Sequence, residues 1–208
     1  MYRKLNKSKS EVYDRMCKEL RYSLETMQEV RNAVSVFGSA RTKPNSAEYK
    51  TAYQMGKLLG ENGYNVITGG GPGNMEAANK GAYEVGVKSV GLNIILPHEQ
   101  APNPYQNVSV TFHYFAIRKV CFVKYAKAFI ICPGGYGTLD EFFEVLTLIQ
   151  TGGSKQYPVV LLGKKFWMPM YYWLKGYLLA TGKINEKDLK LFTVADTPEE
   201  ALQMIRSK

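Results

Sequence analysis

The sequence predicts an α/β protein: an open parallel sheet of about seven strands, flanked by helices on both faces, forming a single sheet domain over residues 33–208. Three observations carry that prediction. Short runs rich in Val and Ile alternate with longer segments of helical period, the pattern of successive βαβ units. Most of those runs are apolar throughout, as strands covered on both faces require. Glycine-bearing turns follow several of them, at the edge where ligands of open parallel sheets collect.

In chain order, an amphipathic stretch over about residues 10–31 comes first, so residues 1–32 are expected to form an N-terminal helical extension. It could act as a lid, an arm or part of a partner contact, and its lysine-rich first ten residues read as a solvated tail. AVSVFG (33–38) is the first strand, followed by a helix over about 46–62. YNVITG (64–69) is the second, followed by a helix over about 74–86. KSVGLNI (88–94) and NVSVTF (107–112) are the third and fourth, separated by the loop LPHEQAPNPYQN (96–107), which is long enough to be functional. A helix over about 115–126 leads to AFIIC (128–132), and another over about 138–150 leads to YPVVLLG (157–163). Helices over about 168–180 and 198–206 bracket the last strand, LFTVA (191–195). The aromatic stretch FWMPMYYWLKGY (166–177) has helical spacing and is expected in the core or at a subunit interface.

Composition narrows the function classes. A chain of 208 residues, 45% hydrophobic and 22% charged, supports one well-buried core. Twenty-seven basic against 18 acidic residues give a net charge of +9, which favours anionic partners without separating nucleic acid from a phosphorylated metabolite. A nucleic-acid binder would concentrate its lysines and arginines in a stripe interleaved with aromatics, whereas here they are dispersed. Cys17, Cys121 and Cys132 form no CxxC pair and suit a reducing cytoplasm. No apolar run reaches the length of a membrane span, and the N-terminus lacks the apolar core of a secretory signal, so a cytoplasmic protein is expected. His98 and His113 show no ligand spacing, and no metal is expected.

FGSAR (37–41), TGGGPGN (68–74) and PGGYGT (133–138) each follow a strand and precede a helix. Glycine there turns the chain sharply and lets backbone N–H groups approach an anion, and the helix N-terminus adds partial positive charge. Three such turns on one edge point to a phosphate or carboxylate site in a Rossmann-like sheet, with Gly70, Gly71, Gly134 and Gly135 as candidate contacts. The alternative is that the glycines only make tight turns. Dinucleotide and P-loop fingerprints do not fit: GGGPGN fails G-x-G-x-x-G at its last position, and no G-x-x-x-x-G-K-[ST] exists.

PGGYGTLDE (133–141) resembles the P-G-G-x-G-T-x-x-E motif of the LOG family, phosphoribohydrolases long labelled putative lysine decarboxylases. Arg118 and Lys119 stand at the family's spacing before Glu141, and the resemblance extends over about residues 33–204. It implies hydrolysis of the N-glycosidic bond of a nucleoside 5′-monophosphate, AMP or an N6-modified AMP, to free base and ribose 5-phosphate. It implies Arg118 and Glu141 as the catalytic pair. Substrate would be held by Glu99, Lys119, Gly135, Tyr136, Gly137, Thr138, Leu139, Asp140 and Thr147, in a homodimer or larger homo-oligomer with no cofactor. TGGGPGNMEAANKGA resembles the branch with P-G-x-M-E-A rather than the plant-type enzymes, so the preferred base stays open, and Lys127 replaces an acid common in the family. No motif identifies the Schiff-base lysine or pyridinium partner that a pyridoxal phosphate decarboxylase needs.

Departure of the base builds positive charge on the ribose, so a fixed anion near the anomeric carbon is the useful group. Glu141 is expected to supply it, kept ionised by the helix N-terminus and Arg118, and to orient or deprotonate water. Arg118 suits either a grip on phosphate or stabilisation of the leaving base. The bland alternative for Glu141 is a capping box with Thr138. Asn74 and Glu76 could touch ribose. On the same scaffold, a non-catalytic carrier of a phosphorylated cofactor, like the molybdenum-cofactor carriers, is the competing reading.

Overall fold

The computed structural model describes residues 9–96 and 101–207. Seven strands form one parallel sheet: β1 (Ala33–Phe37), β2 (Asn65–Thr68), β3 (Ser89–Ile94), β4 (Val108–Phe112), β5 (Ala126–Ile131), β6 (Val159–Leu162) and β7 (Thr193–Ala195). Their order is β4-β3-β2-β1-β5-β6-β7. The chain winds outward from β1 to β4, then returns beside β1 with β5 and winds outward the other way. That reversal between β1 and β5 leaves a crevice at the carboxyl ends of the strands. The β1–β5 register slips between Ala33 and Val34, leaving Lys127 as the extra, exposed residue at the amino end of β5, remote from the crevice.

Two helical layers cover the sheet. On one face lie α2 (Ala47–Glu61), α3 (Asn74–Val85) and α7 (Pro198–Arg206), closing a core of Val34, Val36, Met55, Leu59, Ile130 and Leu162. Ser46 starts α2 by accepting the Tyr49 N–H at 3.2 Å, and Thr197 starts α7 in the same way with Pro198 at the first helical position. On the other face lie α1 (Lys9–Met27), α4 (Phe115–Lys124), α5 (Tyr136–Gln150) and α6 (Lys164–Trp173), around an aromatic core of Phe37, Phe122, Phe129, Phe142 and Trp167. The central strands are buried throughout, while the edge strand β4 alternates buried and exposed residues, as NVSVTF suggests.

Two expected helices change their boundaries. The predicted 168–180 helix is α6 followed by a π-helical turn, Leu174–Leu179. Trp167 and Leu174 from the aromatic stretch join the core, whereas Phe166, Tyr172, Trp173 and Tyr177 stay exposed. The helix predicted to start at 138 starts at Tyr136, because Gly135 takes the extended cap conformation. The N-terminal helix packs on the sheet, with Met27 and Val30 inside the aromatic core.

Candidate functional site

The three glycine turns meet at the crevice. The Ser39 N–H donates to Pro133 O at 3.1 Å, the Asn74 N–H to Ser39 O at 2.9 Å, and Asn74 Nδ2 to Pro133 O at 3.1 Å. Asn74, which the sequence offers only as a weak candidate for a ribose contact, is thus the buried tie that joins the turns after β1, β2 and β5. Between them opens a cavity of about 600 Å³, lined by Phe37–Arg41, Gly69, Gly71, Met75, Asn93, Ile94, Leu96, Phe115, Arg118, Phe122 and Gly135–Glu141. Its lining combines glycines and polar groups with the apolar side chains of Met75, Ile94, Leu96 and Phe115.

Gly134 and Gly70 are needed for their lack of a side chain. A Cβ on Gly134 would lie 2.1 Å from Thr138 Oγ1, so the buried threonine folds directly over that glycine. Gly70 has a positive φ of 73°, and a Cβ there would collide with the Asn93 side chain. Its carbonyl accepts from Asn103 N at 2.8 Å, Asn103 Nδ2 at 3.1 Å and Gln106 Nε2 at 2.8 Å, so the returning limb of the 96–107 loop is clamped onto the second glycine turn. Gly70 therefore lies behind the cavity wall and Gly71 in it.

Glu141 is 7% exposed, in the second turn of α5, and among the described residues no donor is hydrogen-bonded to its carboxylate. Thr138 is the third residue of the helix and not its cap, so the capping-box alternative does not hold. Burial pushes the Glu141 carboxyl up to about 7; Lys119 and Arg118 pull it back only in part, and Glu144 and Asp140 act with burial. This corrects the expectation of full ionisation: desolvation outweighs the neighbouring cations, and the group is poised near neutrality.

Arg118 projects from α4 into the same space. Its Nε donates to Leu92 O at 2.7 Å and its Nη2 to Gly69 O at 3.0 Å, with the guanidinium 5.0 Å from the Phe122 ring centre. Burial lowers its pKa to about 10, against the pull of Glu141, and it remains a cation at neutral pH. Lys119, its neighbour, faces α5 instead, pairing with Asp140 at 2.9 Å and Glu144 at 2.8 Å. Burial disfavours the Lys119 ammonium, but hydrogen bonds to Glu144 and Asp140 more than offset it, and the pKa is raised. Thr147 lies outside the cavity, in a shallow groove on α5 with Tyr136, Leu139, Asp140, Phe143, Glu144 and Leu148, and its hydroxyl bonds back to Phe143 O at 2.7 Å. Glu99 and His98 lie outside the described residues.

The cavity thus gathers Gly71, Gly135, Tyr136, Gly137, Thr138, Leu139, Asp140 and Glu141 with Arg118, and leaves Lys119, Gly70, Gly134 and Thr147 behind or beside it. Sequence reasoning missed Ser39, Arg41 and Met75 as lining residues. FGSAR was marked for its glycine alone, and the apolar lining reads in sequence like ordinary core. Among the described residues no group of three or more His, Cys, Asp or Glu side chains is placed to hold a metal.

A parallel sheet with a glycine-built crevice at its switch point, a buried carboxylate and a buried guanidinium defines a Rossmann-like α/β protein with a candidate anion site. The chain belongs to the LOG family, whose family description, "Possible lysine decarboxylase", matches residues 75–205. No lysine is among the described residues lining the cavity, so that description finds no amine there to form a Schiff base. The chain is 31% identical over 176 residues, 78% of its length, to the pyrimidine/purine nucleotide 5′-monophosphate nucleosidase of Escherichia coli (strain K12), and spans 38% of that longer protein. It is 32% identical over 167 residues to the cytokinin riboside 5′-monophosphate phosphoribohydrolase LOG of Oryza sativa subsp. japonica, covering 78% of this chain and 67% of that one. Among solved structures, the molybdenum cofactor binding protein of Rippkaea orientalis superposes with a TM-score of 0.62 at 25% identity, over 85% of this chain and 96% of that one. The molybdenum cofactor carrier protein of Chlamydomonas reinhardtii, at 22% identity and a TM-score of 0.59 over 86% of this chain and 100% of that one, is a likeness of fold.

Proposed function

We propose that the chain hydrolyses the N-glycosidic bond of nucleoside 5′-monophosphates, releasing free base and ribose 5-phosphate. The observation that carries this reading is Glu141: a buried carboxylate poised near neutral pH, one helical turn beyond the glycine cradle and in the electrostatic reach of Arg118. The phosphate sits at the α5 N-terminus, against the amides of Gly135, Tyr136 and Gly137; the next amide, of Thr138, already donates to Gly135 O at 3.0 Å. The ribose then lies beside Glu141 and the base extends toward Met75, Ile94, Leu96 and Phe115. As the C1′–N bond breaks, the Glu141 carboxylate stabilises the cation forming at C1′ and takes a proton from the attacking water. The hydroxyl ends on C1′, the base leaves with the electron pair of the C1′–N bond, its developing negative charge met by Arg118, and the proton that Glu141 took from water is passed to the base. Glu99 and Lys119 are assigned to substrate binding by the family motif alone, together with Gly70, Gly134 and Thr147.

The relatives' printed activities support this reading, and the likeness to cofactor carriers supports a second one, retention of a phosphorylated ligand without turnover. Incubating the full chain with a panel of nucleoside mono-, di- and triphosphates and measuring free base separates them. Base release that prefers monophosphates is expected; tight retention with no release from any of them overturns the hydrolase. We assign the chain to a reducing cytoplasm, supported by its three free cysteines, two of them buried. It acts as a homodimer, supported by the exposed α5 face, where Tyr136 is 93% exposed and borders an apolar groove with Phe143 and Leu148.

A further inference from the structure

We infer that Arg41 reads the charge of the 5′-phosphate in this cavity and sets its preference for phosphorylated over unphosphorylated nucleosides. The inference rests on the proposed phosphoribohydrolase site. Sequence alone leaves Arg118 open to gripping phosphate, but part of its donor set is already engaged. Its Nε and Nη2, the edge that forks side-on onto a phosphate, are bound to Leu92 O and Gly69 O, and its remaining charge stands beside Glu141.

The charge of the wall completes the argument. Among the described residues, the charged side chains lining the cavity are Arg41, Arg118, Asp140 and Glu141. Asp140 is paired with Lys119 and Arg118 stands against Glu141, so neither of those cations is free to meet a phosphate dianion; among the described residues, Arg41 supplies the uncommitted positive charge on the wall. It is exposed at the rim and, among the described residues, has no carboxylate partner, so its guanidinium is available. The fold sets it beside the cradle. Its N–H donates to Ser39 Oγ at 3.0 Å, closing the turn after β1, and that turn is bonded to the turn after β5 through Ser39 N to Pro133 O and Cys132 N to Phe37 O. The residue is therefore held next to the strand end from which α5 begins. It adds a mobile, charge-assisted grip to the fixed backbone amides.

The test uses the full chain, with ribose 5-phosphate binding measured by calorimetry and AMP turnover by free adenine. Arg41→Gln is expected to weaken ribose 5-phosphate binding by about 10- to 100-fold and to raise KM for AMP by a similar factor, with a much smaller fall in kcat. Adenosine binding should not change, and Arg41→Lys should restore part of the loss. Lys127→Gln removes the same charge at the far end of β5 and should leave both readouts alone. Ribose 5-phosphate affinity and KM within twofold of wild type in Arg41→Gln overturn the inference, as do equal losses for adenosine and AMP. If wild type binds ribose 5-phosphate but releases no base from any nucleotide, the hydrolase reading fails while the binding arm still decides on Arg41. No ribose 5-phosphate binding by wild type overturns both.

Discussion

At the scale of single residues, Glu141 concentrates the consequences. Its carboxyl titrates near 7, so the ionised form needed for water activation is gained as pH rises through neutrality. The kcat/KM for AMP is expected to climb about tenfold per unit below pH 7 and to level off above it; a flat profile between pH 5 and 8 contradicts the assignment. Stability runs the other way. The folded protein holds this proton between the ordinary carboxyl value of 4.5 and about 7, so the contribution is complete below 4.5 and is lost as pH rises through 7. Glu141→Gln is therefore expected to stabilise the fold by up to about 3 kcal/mol at pH 8 and by almost nothing at pH 4. It should also cost at least about 100-fold in base release. Chemical denaturation at the two pH values checks the first part. The motif made Glu141 legible in the sequence, but its ionisation was not, because desolvation depends on the depth at which α5 begins. Tyr136 and Gly137 had to be inside the helix for Glu141 to fall in its second turn.

At the scale of elements, α1 supports the helix that carries Arg118. Glu19, buried on α1, accepts the backbone N–H groups of His113 at 2.8 Å and Tyr114 at 3.1 Å, the residues that open α4. Its Oε2 also lies 3.0 Å from His113 Nδ1. Tyr114 O in turn accepts the Arg118 N–H at 3.3 Å. A carboxylate thus caps α4 from another helix and complements its dipole. Glu19→Ala is expected to cost about 1–2 kcal/mol in urea unfolding, with Glu19→Gln recovering part, since an amide oxygen still accepts one N–H. Equal stability of Glu19→Ala and wild type would remove this role. The amphipathic pattern announced α1, whereas its partner could not be read: Glu19 and His113 are far apart in the chain, and local spacing carries no information about such a pair. The π-helical turn after α6 was hidden for a related reason, since its residues keep a helical apolar spacing.

At the scale of the whole molecule, strand number, parallel sense and the two-sided burial of the central strands followed from uniform Val- and Ile-rich runs such as AFIIC and YPVVLLG. The reversal at β1 and β5 completes the picture by drawing three separate glycine turns into one crevice. The apolar lining of the cavity stayed invisible because Ile94, Leu96 and Phe115 differ from core residues only in what faces them. The proposed homodimer belongs to this scale. Phe143→Asp on the exposed face of α5 should convert it to a monomer in light scattering, and a wild-type monomer at micromolar concentration would dismiss it.

Pairing of β1 with β5 also joins residue 33 to residue 126, with the entire left half of the sheet between them. During synthesis, the first two glycine turns leave the ribosome long before the third exists, and Asn74 has no Pro133 carbonyl to bind. A nascent chain that has emerged only through α4 thus holds Arg118 and the cradle's outer parts unassembled. Ligand affinity should arise in one late step, when α5 emerges and docks, rather than accumulating strand by strand.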